Sequence, residues 1–269
     1  MLKIDLLVST MNYKSGALDL LLDTVPDDVN VIVINQITND HKALESFPIK
    51  KNVICYSYVE KGLSKSRNKA LSLAAGNIFV ITDDDIQFLP NAFEKIRDAF
   101  IKNPDQGILT FQMIKPDGKG RKNYKKLPFQ HNKRSVASVS SCEIAGNREV
   151  LLKSKVKYDT DFGLGAKYAL AEEVIFLQDC IKLGLKIRYI PIAIASHPDE
   201  STGRIFSEQT EFARGAAFYR LFGLLSYPLG VLFYLKKRKF LSMGLLNTMN
   251  IYYRGINDYR NSTKMAPTD

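Results

Sequence analysis

The sequence is poor in the residues that build covalent staples and metal cages. Its three cysteines, Cys55, Cys142 and Cys180, are widely spaced, odd in number and never in a CxxC pair, which argues against both a disulfide framework and a zinc ribbon. A reducing compartment fits this usage. Histidine is equally scarce: His41 and His131 fall in loops with no partner suggested by sequence, and only His197 follows a strand-like run. A membrane-spanning helix needs about 20 apolar residues. The uncharged run Leu221–Leu235 has 15 and contains Pro228. Asp5 interrupts the apolar core that a signal peptide would require, so a mature cytosolic N-terminus is expected. No internal repeat or low-complexity segment occurs.

Acidic charge is also short. With 38 Lys and Arg against 28 Asp and Glu, the net charge is +10, which calls for a polyanionic neighbour: nucleic acid, anionic lipid or a phosphorylated substrate. The excess gathers in two places. Lys115–Arg134 holds eight basic residues against the single Asp117 and is broken by Pro116, Gly118 and Gly120, the pattern of a mobile loop. Lys236–Lys239 follows the apolar run directly, the pattern of a membrane-surface anchor; a solvated charged face is the plainer reading of both.

The chain has 269 residues, 45% of them hydrophobic, enough to bury a sizeable core as one large domain or one domain plus an extension. Short β-branched runs at 3–9, 29–34, 53–58 and 78–82 read as strands, with helical stretches at 17–23, 63–75 and 90–102 between and after them. This alternation predicts a mainly parallel sheet covered on both faces. Further strands are expected at 108–113, 135–144 and 186–190, and a helix at 171–183, stopped by Gly184.

The fourth strand runs into Asp83-Asp84-Asp85. Carboxylates at the carboxyl end of a buried strand lie where open α/β sheets bind ligands, and they suit a divalent cation carrying phosphates. One Asp would suffice to cap a helix starting at Pro90. Arg67 shares the apolar stripe of Leu63, Ala70, Leu71 and Ala74, so it needs an anionic partner, either an aspartate of the triple or a nucleotide phosphate. Lys65 and Lys69 fall off this stripe toward solvent. On the later helix, Glu173 falls on the stripe of Leu177, Cys180 and Ile181, and Glu172 on its flank.

Gly62–Ala70, the Ala74-Ala75-Gly76 stop, the strand and the Asp triple together resemble the donor-binding half of family 2 glycosyltransferases with the GT-A fold. The similarity extends over about residues 3–205. It implies a GT-A domain at 1–205, with a nucleotide-sugar half at 1–105 and an acceptor half at 106–205, followed by a helical extension at 206–269. The family's segment after the first strand matches Val8-Ser9-Thr10-Met11-Asn12, placing Ser9 and Asn12 against the nucleotide. Its base-reading Asp is absent; Asn35-Gln36 stand there, and Gln36 takes that place. Asp83, Asp84 and Arg67 would serve the nucleotide. Asp85, with Asp83 and His197, would hold Mn²⁺ or Mg²⁺, and Ser201, Thr202 and Arg204 are further phosphate candidates. Glu172-Glu173 resembles the Glu-Asp pair of inverting members, with Glu173 as catalytic base.

The implied protein is an inverting, metal-dependent hexosyltransferase of surface polysaccharide or glycolipid synthesis. Its donor would be a nucleotide-diphosphate sugar, UDP-sugar first, and its acceptor lipid-linked or an oligosaccharide. It would sit in the cytoplasm, peripheral at the inner face of the cell membrane. The tail supports this with aromatics beside basic residues, as in helices lying in the interface of an anionic membrane; a cap on the sheet or a homodimer surface is the competing reading. A sugar nucleotidyltransferase would need a Gly-rich basic loop after the first strand, and Ser9–Gly16 offers only Lys14 and Gly16. A nucleic-acid-binding protein would interleave basic and aromatic residues across a sheet face, a pattern not found here.

Overall fold

The computed structural model describes residues 1–38, 50–197 and 206–265. Among these residues nine strands form one sheet: β1 Ile4–Met11, β2 Val29–Ile37, β3 Val53–Val59, β4 Ile78–Asp83, β5 Gln87–Phe88, β6 Ile108–Ile114, β7 Phe129–Gln130, β8 Ile144–Asn147 and β9 Ile187–Ser196. Their order is β3-β2-β1-β4-β8-β6-β9-β5, with β7 on β9. β3, β2, β1 and β4 are mutually parallel, so the ends of β1, β2 and β4 open on one edge. β8 is antiparallel to both β4 and β6, which makes the sheet mixed.

Alternation along the central strands decides how the sheet is covered. In β1, Leu6 and Val8 enter one core and Leu7 the other; in β4, Val80 enters the first and Phe79 and Ile81 the second. Successive side chains point to opposite faces, so a strand apolar at every position needs cover on both. α1 (Asp19–Leu22) and α3 (Ala92–Lys102) contribute Leu21, Phe93, Ile96 and Phe100 to the first core. α2 (Leu63–Leu73), α4 (Arg148–Ser154) and the later turns of α5 (Glu172–Lys182) contribute Ala70, Leu151, Leu177 and Cys180 to the second. Gly146 of β8 is required by this packing, since a Cβ there would lie 2.1 Å from the Phe79 ring.

Three expectations are corrected. Ser135–Ile144 is not a strand. It forms 3-10 turns at Ser135–Ser138 and Ser141–Glu143, and only Ile144–Asn147 joins the sheet. Asn132 Oδ1 accepts from the amides of Arg134 and Ser135, and Ser140 with Glu143 forms a capping box, local bonds that outcompete a ladder. The basic loop is anchored as well: Lys122 Nζ and the Tyr124 hydroxyl both donate to the buried Glu143, at 2.7 and 2.6 Å. His131 has partners, Thr110 at 2.9 Å and Ser135 at 3.0 Å. Burial and nearby Lys122 push its pKa down to about 4, so it is neutral at physiological pH.

Chain contacts divide the described residues into two compact units. The sheet and its covering helices make the first. The second comprises Gly62–Ser64, Asp159–Ile175 and the chain from Glu200 on, with α6 (Glu208–Phe222), α7 (Ser226–Lys237) and α8 (Leu245–Met265). Within it, α6 and α8 cross at glycine: a Cβ on Gly215 would lie 2.0 Å from the Tyr252 carbonyl oxygen, and one on Gly255 1.9 Å from that of Phe212. Such an approach excludes any side chain at the crossing. α6 also buries Glu211, which accepts from Tyr234 and pairs with Arg214, whose guanidinium lies between the rings of Phe206 and Phe233.

Candidate active site

The site is built at the open edge where β1, β2 and β4 end. Ser9 lies level with Asp83 of β4 on one side and Ile34 of β2 on the other, and its hydroxyl accepts from Ser66 of α2 at 2.8 Å. Asn12 turns the chain with φ 52°, a left-handed conformation that Asn tolerates better than most residues. Its side chain clasps Thr38, accepting from the Thr38 amide at 3.0 Å and donating to its hydroxyl at 3.0 Å. Thus Asn12 ties the end of β1 to the end of β2. Asn35 is buried between the Tyr13 amide and Ser57, and buried Gln36 donates to Glu60 at 3.3 Å. Glu60 in turn pairs with Lys69, whose ammonium stacks 3.5 Å from the centre of the Tyr58 ring. Lys69 is therefore half-buried, whereas Lys65 is exposed as expected.

The three aspartates diverge, each to a different partner. Asp83 takes Arg67 Nη2 on Oδ1 at 3.2 Å and the Cys142 thiol on Oδ2 at 3.3 Å. Arg67 is 3% exposed and pairs with Asp83, an aspartate of the triple and one of the two partners its stripe left open. Asp84 accepts from the Thr10 hydroxyl at 2.5 Å. Burial pushes its pKa up, the charges of Asp85 and Asp83 add to that, and the Thr10 bond opposes it. Asp85 points out and meets His197 Nε2 at 3.3 Å, with 55% of its side chain exposed. The bond from His197 holds the Asp85 carboxyl below the usual range, against partial burial. None of the three caps α3, whose N-cap residue is Asn91.

β5 and β9 bring His197 to Asp85 across 112 positions of sequence. Gln87 pairs with Ser196 and Phe88 with Ala195, so the residue after β9 falls beside the residues before β5. Ser201, Thr202, Arg204 and His41 lie outside the described residues. Among the described residues no group of three His, Cys, Asp or Glu is arranged to hold a metal ion. Asp85 and His197 supply one carboxylate and one imidazole. That pair fits a Mn²⁺ or Mg²⁺ that completes its shell with phosphate oxygens and water, whereas both Asp83 oxygens are already engaged.

Glu172 and Glu173 belong to the second unit. Glu172 is the buried one and Glu173 is half-buried, the reverse of the order that their helical stripe implied. The local packing explains it: the Gly163 loop lies on Glu172, so that a Cβ at Gly163 would sit 3.3 Å from the Glu172 Cβ. Gly163 has φ 103°, and Ala171, just before the pair, has φ 72°, uncommon for a residue with a side chain. Ser64 Oγ donates to the Phe162 carbonyl at 2.6 Å in the same loop. Sequence reading missed Thr10, Ser66 and Cys142; only their nearness to strand ends and to the Asp triple after folding reveals them.

A family model described as Glycosyl transferase family 2 matches residues 15–154, just over half of the chain. The chain belongs to glycosyl transferase family 2. The match takes in Arg67 and the Asp triple and ends before Glu172 and His197. Among solved structures, the 1–349 segment of S. aureus TarS in complex with UDP-GlcNAc aligns with a TM-score of 0.64 at 14% identity, over 96% of this chain and 80% of that one. A longer S. aureus TarS structure aligns with a TM-score of 0.59 at 15% identity, over 90% of this chain but 44% of that one. This family 2 chain thus has the GT-A architecture of those structures, with a mainly parallel sheet and a helical C-terminal segment. No curated protein matches its sequence.

Proposed function

We propose that this family 2 member is an inverting, metal-dependent glycosyltransferase that moves a sugar from a nucleotide-diphosphate donor, UDP-sugar first, to a hydroxyl acceptor. The observation that carries the reading is Asp85. In a cluster whose other two members are half-buried and bonded to Arg67, Cys142 and Thr10, it alone is exposed, kept ionised and paired with an imidazole. The UDP and UDP-GlcNAc complexes of S. aureus TarS support the choice of base.

Asp85 and His197 would hold Mn²⁺ or Mg²⁺, which when bound offsets charge on the leaving diphosphate. Asp83, fixed by Arg67 and Cys142, and Asp84, fixed by Thr10, would set the shape and polarity of the floor under the nucleoside. Asn12 ties the end of β1 to that of β2, Ser9 ties β1 to α2 and Gln36 ties β2 to Glu60, and the three would act on the nucleotide through that edge. Glu173 would take the proton from the acceptor hydroxyl as its oxygen attacks the anomeric carbon and the nucleotide diphosphate leaves from the opposite face. Buried Glu172 would position the first turn of α5.

The test is thermal unfolding with UDP and UDP-sugars, with and without Mn²⁺. A ligand bound only by the native state stabilises it by about 2.7 kcal/mol at a hundred times its dissociation constant. A stabilisation that needs both metal and nucleotide is expected. None at millimolar concentrations of either would overturn the reading.

A further inference from the structure

We propose that the outward face of α7, closed by Lys236–Lys239, docks flat on a phospholipid bilayer rich in anionic headgroups. The inference rests on the second unit and is independent of the nucleotide chemistry.

α7 carries no charge before Lys236, yet only one of its faces is fully buried. Ser226, Gly230 and Tyr234 recur every four residues and are buried. Tyr252 of α8 seals this side: its ring lies where a Gly230 Cβ would be, and its hydroxyl donates to the Ser226 carbonyl at 2.7 Å. On the opposite side Leu225, Leu232 and Leu235 are 66, 64 and 48% exposed. At 100° per residue Leu225, Pro228, Leu232, Leu235 and Lys239 fall on one stripe. Water is a poor solvent for that row.

Charge identifies the occupant. Between Glu211 and Asp258 the chain has no Asp or Glu, and the apolar stripe ends in four consecutive basic residues. A stripe of leucines on one helix, with cations at one end and the one acid bonded to the helix, Glu211, buried on its opposite side, matches an interface of acyl chains and phosphate headgroups. The helix lies on that interface and does not cross it. The stretch Glu208–Phe240 is long and apolar enough to span by length and composition alone, but Gly223, with φ 57°, ends α6. α6 also buries Glu211 and Arg214, and the 12 residues of α7 reach about 18 Å, short of the roughly 30 Å hydrocarbon core.

Co-sedimentation of the full chain with vesicles tests this. Partitioning onto phosphatidylglycerol–phosphatidylcholine vesicles is expected to exceed that onto phosphatidylcholine alone by about tenfold or more, and to weaken in 0.5 M salt. The exposed pair Leu232→Glu and Leu235→Glu, made together, should lower it by about tenfold. Lys236→Glu with Lys239→Glu should remove the preference for anionic lipid. Circular dichroism and the nucleotide-dependent thermal shift should stay unchanged in both variants, which separates failure of docking from failure of the donor site. Equal partitioning onto the two vesicle types overturns the proposal. So does anionic binding that survives Leu232→Glu with Leu235→Glu. A dimer in sedimentation that this pair dissolves would assign the face to a second copy and overturn it as well.

Discussion

Cys142 and Arg67 hold the same carboxylate from its two oxygens: the thiol donates to Asp83 Oδ2 at 3.3 Å and the guanidinium to Oδ1 at 3.2 Å. A thiol in that position is a structural donor and is held protonated, since burial and the Asp83 charge push its pKa well above the ordinary value. Native protein at neutral pH should therefore resist alkylation at Cys142. Cys55, whose pKa burial raises to about 11, should also react slowly. Mass spectrometry after iodoacetamide treatment, native against unfolded, checks this. Cys142→Ser keeps a donor, whereas Cys142→Ala leaves Asp83 Oδ2 without one and should be less stable than Cys142→Ser by about 1–2 kcal/mol. Rapid native labelling of Cys142 would contradict the assignment.

The neighbouring carboxylates should respond to pH in opposite senses. Asp84 has a raised folded pKa, so its contribution to stability is present at low pH and is lost as pH rises through that folded value. Asp85 has a lowered one, so its contribution is present above the ordinary carboxylate range and is lost as pH falls through the folded value. Asp84→Asn should then unfold at an equal or higher urea concentration than wild type at pH 7, with the gain shrinking at pH 4. Asp85→Asn should be mildly destabilised at pH 7, by under about 1 kcal/mol because the pair is solvent-screened. Urea titrations at the two pH values decide. A larger loss for Asp84→Asn at pH 7 than at pH 4 would reverse the argument.

The sheet was legible because β1, β2 and β4 are short β-branched runs with turn signals at both ends. The Asp triple was legible because three like charges at a strand end need explaining. Arg67 betrayed its partner by lying on an apolar stripe. What stayed hidden depended on register and local capping. Only the family resemblance joined His197 to Asp85 in the sequence; the contact itself depends on a two-residue strand, β5, pairing with β9. The Ser-x-x-Glu signature of Ser140 and Glu143 was present, yet Ser135–Val139 imitates strand alternation and drew the wrong reading. Glu172 and Glu173 exchanged burial because a stripe extrapolated from the later turns of α5 ignores the Gly163 loop against the first.

The crossing of α6 and α8 should tolerate no Cβ. Gly215→Ala or Gly255→Ala places a methyl about 2 Å from a backbone carbonyl oxygen, which cannot yield as a flexible side chain would. Each should destabilise by about 3 kcal/mol or more. Gly244→Ala is the control: its φ of 73° is left-handed but nothing lies within 4 Å, so only the conformational cost of about 1–2 kcal/mol applies. Thermal melts of the three variants should rank in that order, and equal losses at all three would argue against the close crossing.

Asp85 and Glu173 should fail in different ways. Replacing Asp85 by Ala removes the solvent-directed carboxylate beside His197, so metal-dependent stabilisation by UDP should disappear along with transfer. His197→Ala should weaken the same metal dependence, because the imidazole that would share the cation with Asp85 is lost. Glu173→Gln keeps the size of the side chain and removes its capacity to accept a proton. Donor binding should persist in that variant while the transfer rate falls by about 10²–10⁴-fold, the usual worth of a general base. Calorimetric titration with UDP and Mn²⁺, beside a transfer assay, separates the two. Full transfer in Glu173→Gln would take the base role from it and leave the donor site standing; unchanged metal-dependent binding in Asp85→Ala would move the cation away from this edge of the sheet.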